Sequence, residues 1–316
     1  MMKEGNNLPR TLQQAIGYFS DDLTCVQFVA ARRWTDGVAI CPKCDGVNNT
    51  FMQSRKVWQC KNKECKKQFS VKVGTIFEDS PIGLDKWLTA MWLIVNAKNG
   101  ISSYEIHRAI GITQKSAWFM LHRIRIAMES GSIEKLSGDV EVDETFIGGK
   151  AKNMHKSKRE RVIKGRGSVG KTAVMGLLER EGRVRAKVIK STDRQTLHAE
   201  VKENVEAGSN LFTDEWRSYQ GLEEDYIHEV INHSVEYVRD HVHTNGIENF
   251  WSLLKRTIKG TYVSVEPFHL DKYLAEQTFR FNERKVKDND RFVGVLEAVS
   301  GKRLTYDQLI GNQTSN

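Results

Sequence analysis

The sequence predicts a multidomain α/β protein in which a zinc-binding module and several helices precede a mixed β-sheet flanked by helices. Three observations support this class: paired cysteines near the N-terminus, a helical pattern over residues 84–128, and strand-like alternation from residue 139 onward. The chain has 316 residues, more than one ordinary core usually takes, and 39% of them are hydrophobic. More than one core is therefore expected, and a wholly disordered chain is excluded.

The charge pattern narrows the class of partner. Lysine and arginine number 48 against 40 aspartates and glutamates, which gives a net charge of +8 and an isoelectric point near 9.1. The longest apolar stretch, residues 91–95, is too short to cross a bilayer. Residues 1–14 show no secretory signal. We expect a cytoplasmic protein whose excess of positive charge weakly favours nucleic acid as the partner.

Four of the five cysteines form two pairs with the spacing C-x2-C-x15-C-x4-C: Cys41, Cys44, Cys60 and Cys65. Two such pairs that face each other supply the four thiolates that Zn²⁺ takes in a tetrahedron. The pattern predicts a zinc ribbon over residues 20–80 with one structural zinc ion and no chemistry of its own. A chance cluster of buried thiols and a redox pair are the alternatives. The fifth cysteine, Cys25, lies in an apolar stretch and is predicted to be a core residue.

Residues 81–135 are predicted to form helices that include a helix-turn-helix. One helix ends near Gly111, and after a short turn a second helix runs from Thr113 to Met128. A second helix of this kind lies in a DNA groove in many DNA-binding proteins. It carries the basic residues that we predict to contact DNA: Lys115, Arg123 and Arg125. A helical bundle that only packs is the alternative.

Acidic residues occupy unusual places in the second half of the chain. Asp143 lies in the middle of an otherwise apolar strand, and Asp214 ends a later strand. A carboxylate at such a place loses hydration unless a positive charge compensates. Glu248 lies on a following helix and shares one helix face with Asn245 and Lys255. Three such oxygen ligands would suit Mg²⁺ or Mn²⁺. Taken singly, each acid is more simply explained as a turn or edge residue, or as part of a solvated helix face.

The strings VDETFIGGK, LFTDEWRSY and HTNGIENFWSLLKRTIKGTY resemble those of bacterial insertion-sequence transposases that carry an N-terminal zinc ribbon. The strings CPKC, QFSVKVGTIFEDS and LDKWLTAMW resemble the N-terminal part of the same proteins. Asp143, Asp214, Glu248 and Lys255 look like the D-D-E-K signature of DDE transposases with an RNase H-like fold. The resemblance covers roughly residues 20–285. It implies an RNase H-like catalytic domain over residues 138–300, followed by a C-terminal tail over residues 301–316.

The resemblance implies an enzyme that cleaves double-stranded DNA at the terminal inverted repeats of an element and transfers the 3′-hydroxyl ends into target DNA. Two Mg²⁺ ions, or Mn²⁺, would be held by Asp143, Asp214 and Glu248, with Asn245 competing for the third position. Lys255 would grip a DNA phosphate. A homodimer or larger assembly on DNA, associated with the bacterial nucleoid, is also implied. The alternatives are a non-catalytic DNA-binding regulator on the same fold and an RNase H-like nuclease.

A basic segment lies beside the first acid, because residues 150–171 contain nine lysines or arginines and one glutamate. We predict that this segment and the end of the Glu248 helix bind phosphate backbone. The residues concerned are Lys158, Arg159, Lys164, Arg166, Lys255 and Arg256. A solvated loop is the alternative for the segment. His241 and His243, which precede the Glu248 helix, are expected to be exposed linker residues; a place behind the acids and contact with DNA are the alternatives.

Overall fold

A computed structural model describes residues 8–129, 134–149, 154–162, 169–214, 217–231 and 243–312. The chain forms two compact units, one of residues 1–129 with 285–316 and the other of residues 130–284. In the described residues, no helix is long and apolar enough to span a membrane. The division differs from the predicted boundary at residue 300, since the chain returns to the N-terminal unit at residue 285.

The helices of the described residues are, in chain order, α1 (Leu12–Tyr18), α2 (Asp22–Arg33), α3 (Leu84–Asn96), α4 (Ser103–Ile110), α5 (Gln114–Met128), α6 (Lys156–Val162), α7 (Arg194–Asn204), α8 (Asn245–Thr257), α9 (Leu270–Asn282), α10 (Asp288–Glu297) and α11 (Tyr306–Ile310). The strands are β1 (Asn49–Met52), β2 (Val57–Cys60), β3 (Gln68–Phe69), β4 (Asp139–Ile147), β5 (Thr172–Glu179), β6 (Val184–Ile189), β7 (Asn210–Asp214) and β8 (Ile227–Ile231). The predicted α/β class, with strands and helices in both parts of the chain, is confirmed.

Aromatic packing explains why the last helices belong to the N-terminal unit. The ring of Phe292, on α10, lies 5.6 Å from that of Phe19, 5.3 Å from that of Trp92 and 6.2 Å from that of Phe28. Phe19, Phe28 and Phe292 are almost fully buried. Such aromatic contacts contribute beyond their buried area, so α10 completes this core rather than that of the other unit.

The residues after 300 are more ordered than the predicted tail. Helix α11 begins with a capping box in which Thr305 and Gln308 satisfy each other's backbone N–H groups. Leu309 is buried, and Arg303 forms an ion pair with Asp79 at 2.6 Å. The described part of the segment, to residue 312, is therefore a docked helix.

The helical pair predicted for residues 102–128 is present. Ser102 and Glu105 form a capping box at the start of α4, and the helix ends at Gly111 with φ +62°. Thr113 then accepts the Ser116 backbone N–H and starts α5. The short turn between the two caps fixes the two helices as neighbours.

The second unit contains a mixed five-stranded sheet with the order β6-β5-β4-β7-β8. Strands β4, β5 and β6 are antiparallel neighbours, whereas β7 runs parallel to both β4 and β8. Helix α7 covers one face, where Val142 packs with Leu197 and Val201. Helices α8 and α9 cover the other face. The mixed sheet flanked by helices that the resemblance implied is confirmed.

Candidate active site and metal centre

The sulfur atoms of Cys41, Cys44, Cys60 and Cys65 all lie within 4.8 Å of one another. The Sγ atoms of Cys41 and Cys65 are 3.8 Å apart, and those of Cys44 and Cys60 are 3.7 Å apart. A tetrahedron with Zn–S bonds of ~2.3 Å has edges of ~3.8 Å, so the cluster fits one zinc ion. The wide second pair does not prevent this convergence.

Two tight turns bring the sulfurs together. Asp45, in the first turn, has φ +54° and donates its N–H to the Cys41 carbonyl at 2.9 Å. Lys66 plays the same part in the second turn, with φ +45° and a 3.0 Å bond to the Asn62 carbonyl. Burial opposes ionisation of Cys41, but backbone N–H groups of Lys43 and Cys44 outweigh it and lower the pKa of that thiol to about 7. At Cys44 the backbone N–H of Gly46 favours ionisation, but burial and the neighbouring thiols outweigh it and raise the pKa of that thiol to about 12. A thiolate is thus favoured at Cys41 and not at Cys44.

Cys25 behaves as the sequence predicts. It is fully buried, and its Sγ atom lies 3.2 Å from the Phe19 carbonyl oxygen. Burial raises the pKa of its thiol to about 12. It is a core residue and takes no part in the sulfur cluster.

A cleft of about 470 Å³ opens over one end of the mixed sheet. Four acids line it: Asp143 and Glu144 from β4, Asp214 from the end of β7 and Glu248 from the first turn of α8. Strands β4 and β7 are parallel neighbours, which carries Asp143 and Asp214 to the same region. The full lining is Asp143, Glu144, Thr145, Asp214, Thr244, Glu248, Trp251, Ser252 and Lys255. The predicted acids and Lys255 therefore share one cleft, whereas Asn245 is exposed at the start of α8 and is not part of the lining.

Helix α8 holds Asp143 in place from above the sheet. The indole Nε1–H of Trp251 donates to Asp143 Oδ2 at 2.9 Å, and the Glu144 backbone N–H donates to Oδ1 at 2.8 Å. Gly176 is the residue opposite Asp143 on β5. A Cβ atom at Gly176 would lie 2.6 Å from Trp251 and 2.7 Å from Ile247, so only glycine leaves room for the tryptophan.

Two acids of the cleft, Asp143 and Glu144, resist ionisation. Burial, followed by the charge of Asp214, raises the pKa of Asp143 to about 6. Burial also raises the pKa of Glu144, the next residue of β4, to about 8. Sequence reasoning missed Glu144 as a residue of the cleft; its place directly after Asp143 in VDETF was the only available signal. A nearby cation would relieve this repulsion.

The donor set of the cleft is made of carboxylate oxygens, which suits a hard divalent cation such as Mg²⁺ or Mn²⁺ rather than zinc. Among the described residues, only the four cysteines bring three or more ligand atoms within 4.8 Å of one another.

Burial corrects two of the predicted DNA contacts. Arg123 and Arg125 lie inside the N-terminal unit and are 4% and 1% exposed. Arg123 donates to the Leu304 carbonyl at 3.0 Å and to the Glu78 carbonyl at 2.8 Å. It therefore holds the unit together instead of facing a DNA groove. Lys115, at the start of α5, is exposed and lies over the Tyr306 ring at 4.5 Å.

The structure describes only part of the predicted phosphate-binding set. Arg159, on α6, and Arg256, on α8 beside Lys255, are exposed. The side chain of Lys158 and all of Lys164 and Arg166 lie outside the described residues.

The structure describes only one of the two histidines that precede α8. His241 lies outside the described residues, whereas His243 is described. His243 is not an exposed linker residue: its side chain is 30% exposed, and its Nδ1 atom lies 3.3 Å from a carboxylate oxygen of buried Glu141. The alternative reading, a place behind the acids, fits His243 better.

A cysteine cluster shaped for zinc, followed by a mixed β-sheet with an acidic cleft, defines a zinc-ribbon protein with a second unit of mixed α/β structure. Two families match the chain: a transposase zinc-ribbon domain over residues 20–68 and an ISXO2-like transposase domain over residues 135–282. An uncharacterized protein in transposable element ISH50 of Halobacterium salinarum is 27% identical over 251 residues, 75% of this chain and 83% of that protein. An uncharacterized transposase-like protein of Haemophilus influenzae is 34% identical over 101 residues, 32% of this chain and 81% of that protein.

The chain belongs to the family of insertion-sequence transposases that carry an N-terminal zinc ribbon. Its two matched domains indicate a transposase that binds DNA and has a structural zinc ion.

Proposed function

We propose that this transposase cleaves double-stranded DNA at the ends of an insertion element and joins the resulting 3′-hydroxyl ends to target DNA. The observation that supports this most is the single cleft lined by Asp143, Asp214, Glu248 and Lys255. These residues come from three segments spread over more than a hundred residues of the chain, and no requirement of core packing explains why the three acids should meet there.

Asp143, Asp214 and Glu248 are proposed to hold two divalent cations through their carboxylate oxygens. The cations would supply Lewis-acid activation of a water, and later of a DNA 3′-hydroxyl, and would stabilise the leaving oxygen at the scissile phosphate. The chain's own residues provide the ligands, their orientation and the place of the DNA. No covalent bond between protein and DNA is required by this arrangement.

Hydrogen bonds orient two of the three acids. Trp251 fixes Asp143 through the 2.9 Å bond from its indole N–H. Thr244 donates its hydroxyl to Glu248 Oε1 at 3.2 Å, one turn of chain earlier. Because Glu248 lines the cleft and Asn245 does not, the geometry supports Glu248 as the third ligand.

Lys255 is proposed to bind a DNA phosphate at the edge of the cleft. It lies two helical turns after Glu248 on the same face of α8, is exposed, and lines the same cleft. An ammonium group so placed attracts the phosphate without neutralising the metal ligands directly. Arg256 and Arg159, also exposed, extend the proposed phosphate contacts on the same unit.

The N-terminal unit is proposed to recognise the element ends. The first turn of α5 presents exposed Lys115, and recognition helices contact base edges with their N-terminal residues. Transposition requires two ends to be held together, so a dimer or larger assembly on DNA is part of the proposal. Light scattering of the protein with and without end DNA measures that assembly.

Cleavage and joining assays on labelled element-end DNA test the function. The wild-type chain should nick the ends with Mg²⁺ and join them to a second duplex, and Asp143→Asn should bind the same ends without cutting. The matched control is Glu203→Gln, which removes the charge of a side chain that is 70% exposed on the same unit. Normal cleavage by Asp143→Asn would overturn the proposed site. Preferential cutting of an RNA–DNA hybrid would indicate a nuclease instead. End binding by a wild-type chain that never cleaves would indicate a DNA-binding regulator.

A further inference from the structure

A buried ion pair lies beside the acidic cleft without lining it. Glu141, on β4, is 1% exposed, and its Oε1 atom is 3.0 Å from Nε of Arg180, whose side chain is 16% exposed. The Nδ1 atom of His243 makes a second contact with the same oxygen at 3.3 Å. A buried carboxylate is costly unless it is paired and hydrogen-bonded, and Glu141 satisfies both conditions.

Arg180 also contacts β4 and β7, the strands that carry Asp143 and Asp214, and the residue that precedes α8. Its guanidinium lies 3.6 Å from Asp139 at the start of β4 and 4.0 Å from the ring centre of Phe212 on β7. It also donates to the carbonyl oxygen of His243, just before α8, at 2.6 Å. The planar guanidinium can stack on a ring and donate several hydrogen bonds at once, which a lysine cannot.

Glu141 in turn holds the first turn of α8. Its Oε2 atom accepts the backbone N–H of Ile247 at 2.9 Å. Thr244, the residue at the cap position of α8, makes no capping hydrogen bond with its side chain. The carboxylate of Glu141 takes that place at the positive end of the helix. Gly246 permits this approach, since a Cβ atom there would lie 2.8 Å from Glu141 Oε2.

Glu141 and two of the residues that the pair contacts, Phe212 and Ile247, lie within two residues of a cleft acid. Glu141 precedes Asp143 by two residues on one face of β4. Phe212 precedes Asp214 by two residues on β7. Ile247 immediately precedes Glu248. The ion pair thus joins the backbones that carry all three acids, although neither partner lines the cleft.

We infer that Glu141 and Arg180 are positioning residues that fix the start of α8, and with it Glu248, relative to Asp143 and Asp214. The inference rests on the proposed function, because it takes the three acids to be ligands of a divalent cation. Residues behind metal ligands commonly change metal affinity by 10- to 100-fold when they are lost. A pair that served stability alone would not affect metal affinity once stability was restored.

The test replaces both partners with apolar side chains of similar size, Glu141→Leu together with Arg180→Met, in the full-length zinc-loaded chain. Apolar replacement of a buried ion pair commonly preserves stability, whereas removal of one partner leaves a buried unpaired charge. Leucine cannot accept the Ile247 N–H, so the helix start is released. Mn²⁺ binding is measured by electron paramagnetic resonance, alongside thermal unfolding and binding to end DNA.

We expect an unfolding temperature near that of the wild type, unchanged DNA binding, and Mn²⁺ affinity about 10- to 100-fold weaker. Wild-type Mn²⁺ affinity in the folded double variant would overturn the inference. The control is a second ion pair of the same unit, Lys187 with Glu200 at 2.8 Å. Replacing that pair in the same way should leave Mn²⁺ binding unchanged.

A second variant tests the inference independently in case the double variant does not fold. Gly246→Ala places a methyl group 2.8 Å from Glu141 Oε2 and forces the carboxylate away from the helix while both charges remain. It should also weaken Mn²⁺ binding, and Gly294→Ala, which meets nothing within 4 Å, is its control. Unaltered Mn²⁺ binding by Gly246→Ala would count against the inference.

Measurements on the wild type and on Asp143→Asn distinguish failure of the positioning role from failure of the proposed function. If Asp143→Asn loses Mn²⁺ binding and cleavage while the ion-pair variants keep both, only the positioning role fails. If the wild type binds no Mn²⁺ in the cleft and does not cleave, the proposed function fails and the positioning role fails with it.

Discussion

The charge of Asp143 makes the folded second unit less stable, and its removal should therefore stabilise the protein. The pKa of Asp143 rises from an ordinary 3.8 to about 6. One pKa unit corresponds to ~1.4 kcal/mol, so ionised Asp143 lowers the free energy of unfolding by about 3 kcal/mol at pH 8. The Asp143→Asn variant escapes this penalty but loses one of the two hydrogen bonds that the carboxylate accepts, at a cost of about 1 kcal/mol. The net gain is about 2 kcal/mol.

The gain depends on pH with a defined sign. A carboxyl whose folded-state pKa is raised contributes stability below its unfolded pKa of about 4 and loses that stability as the pH rises through 6. The advantage of Asp143→Asn should be about 2 kcal/mol at pH 8 and only about 0.5 kcal/mol at pH 5. For a unit of this size, 2 kcal/mol corresponds to an increase in Tm of roughly 4–8 °C.

Calorimetric unfolding of zinc-loaded protein without added Mg²⁺ measures this difference. The control is Glu224→Gln, which removes an exposed charge from the same unit. Added Mg²⁺ should reverse the order, since it stabilises the wild type by binding its folded state and has no intact site in the variant. An Asp143→Asn variant that is no more stable than the wild type at pH 8 would refute the electrostatic reasoning.

Three further substitutions have expected outcomes. Gly176→Ala drives a methyl group into Trp251, so we expect a loss of about 1–3 kcal/mol in the free energy of unfolding and a loss of end cleavage. The control is Gly294→Ala, where a methyl group meets nothing within 4 Å. Elemental analysis should find one equivalent of zinc in the wild type and in Cys25→Ser, which lies outside the cluster, and none in Cys41→Ser. Lys115→Ala should weaken binding to end DNA and reduce the slope of log affinity against log salt by about 1, without lowering the unfolding temperature.

Local patterns were enough to locate the cysteine cluster and the acids of the cleft. The spacing of four cysteines predicted the sulfur cluster, because two short turns can bring together only residues that are near in sequence. The acids were recognisable because Asp143 interrupts an apolar strand and Asp214 ends another. Each departure from ordinary strand composition was visible without knowledge of the fold.

Long-range contacts could not be predicted in this way. A basic helix face looks the same in sequence whether it meets DNA or backbone carbonyls, and the carbonyl of Leu304 that receives Arg123 is 181 residues away. The pairing of Glu141 with Arg180 depends on the register of β4 against β5. The place of Glu144 in the cleft was also hidden, because strand alternation assigns it to the face opposite Asp143.

The return of the chain to its first unit has a consequence for biosynthesis. A ribosome completes residues 130–284 before it makes Phe292, whose ring fills the aromatic core between Phe19, Phe28 and Trp92. The N-terminal unit therefore matures last, although most of it is translated first. A product that terminates early, anywhere before α10, lacks the piece that closes that core.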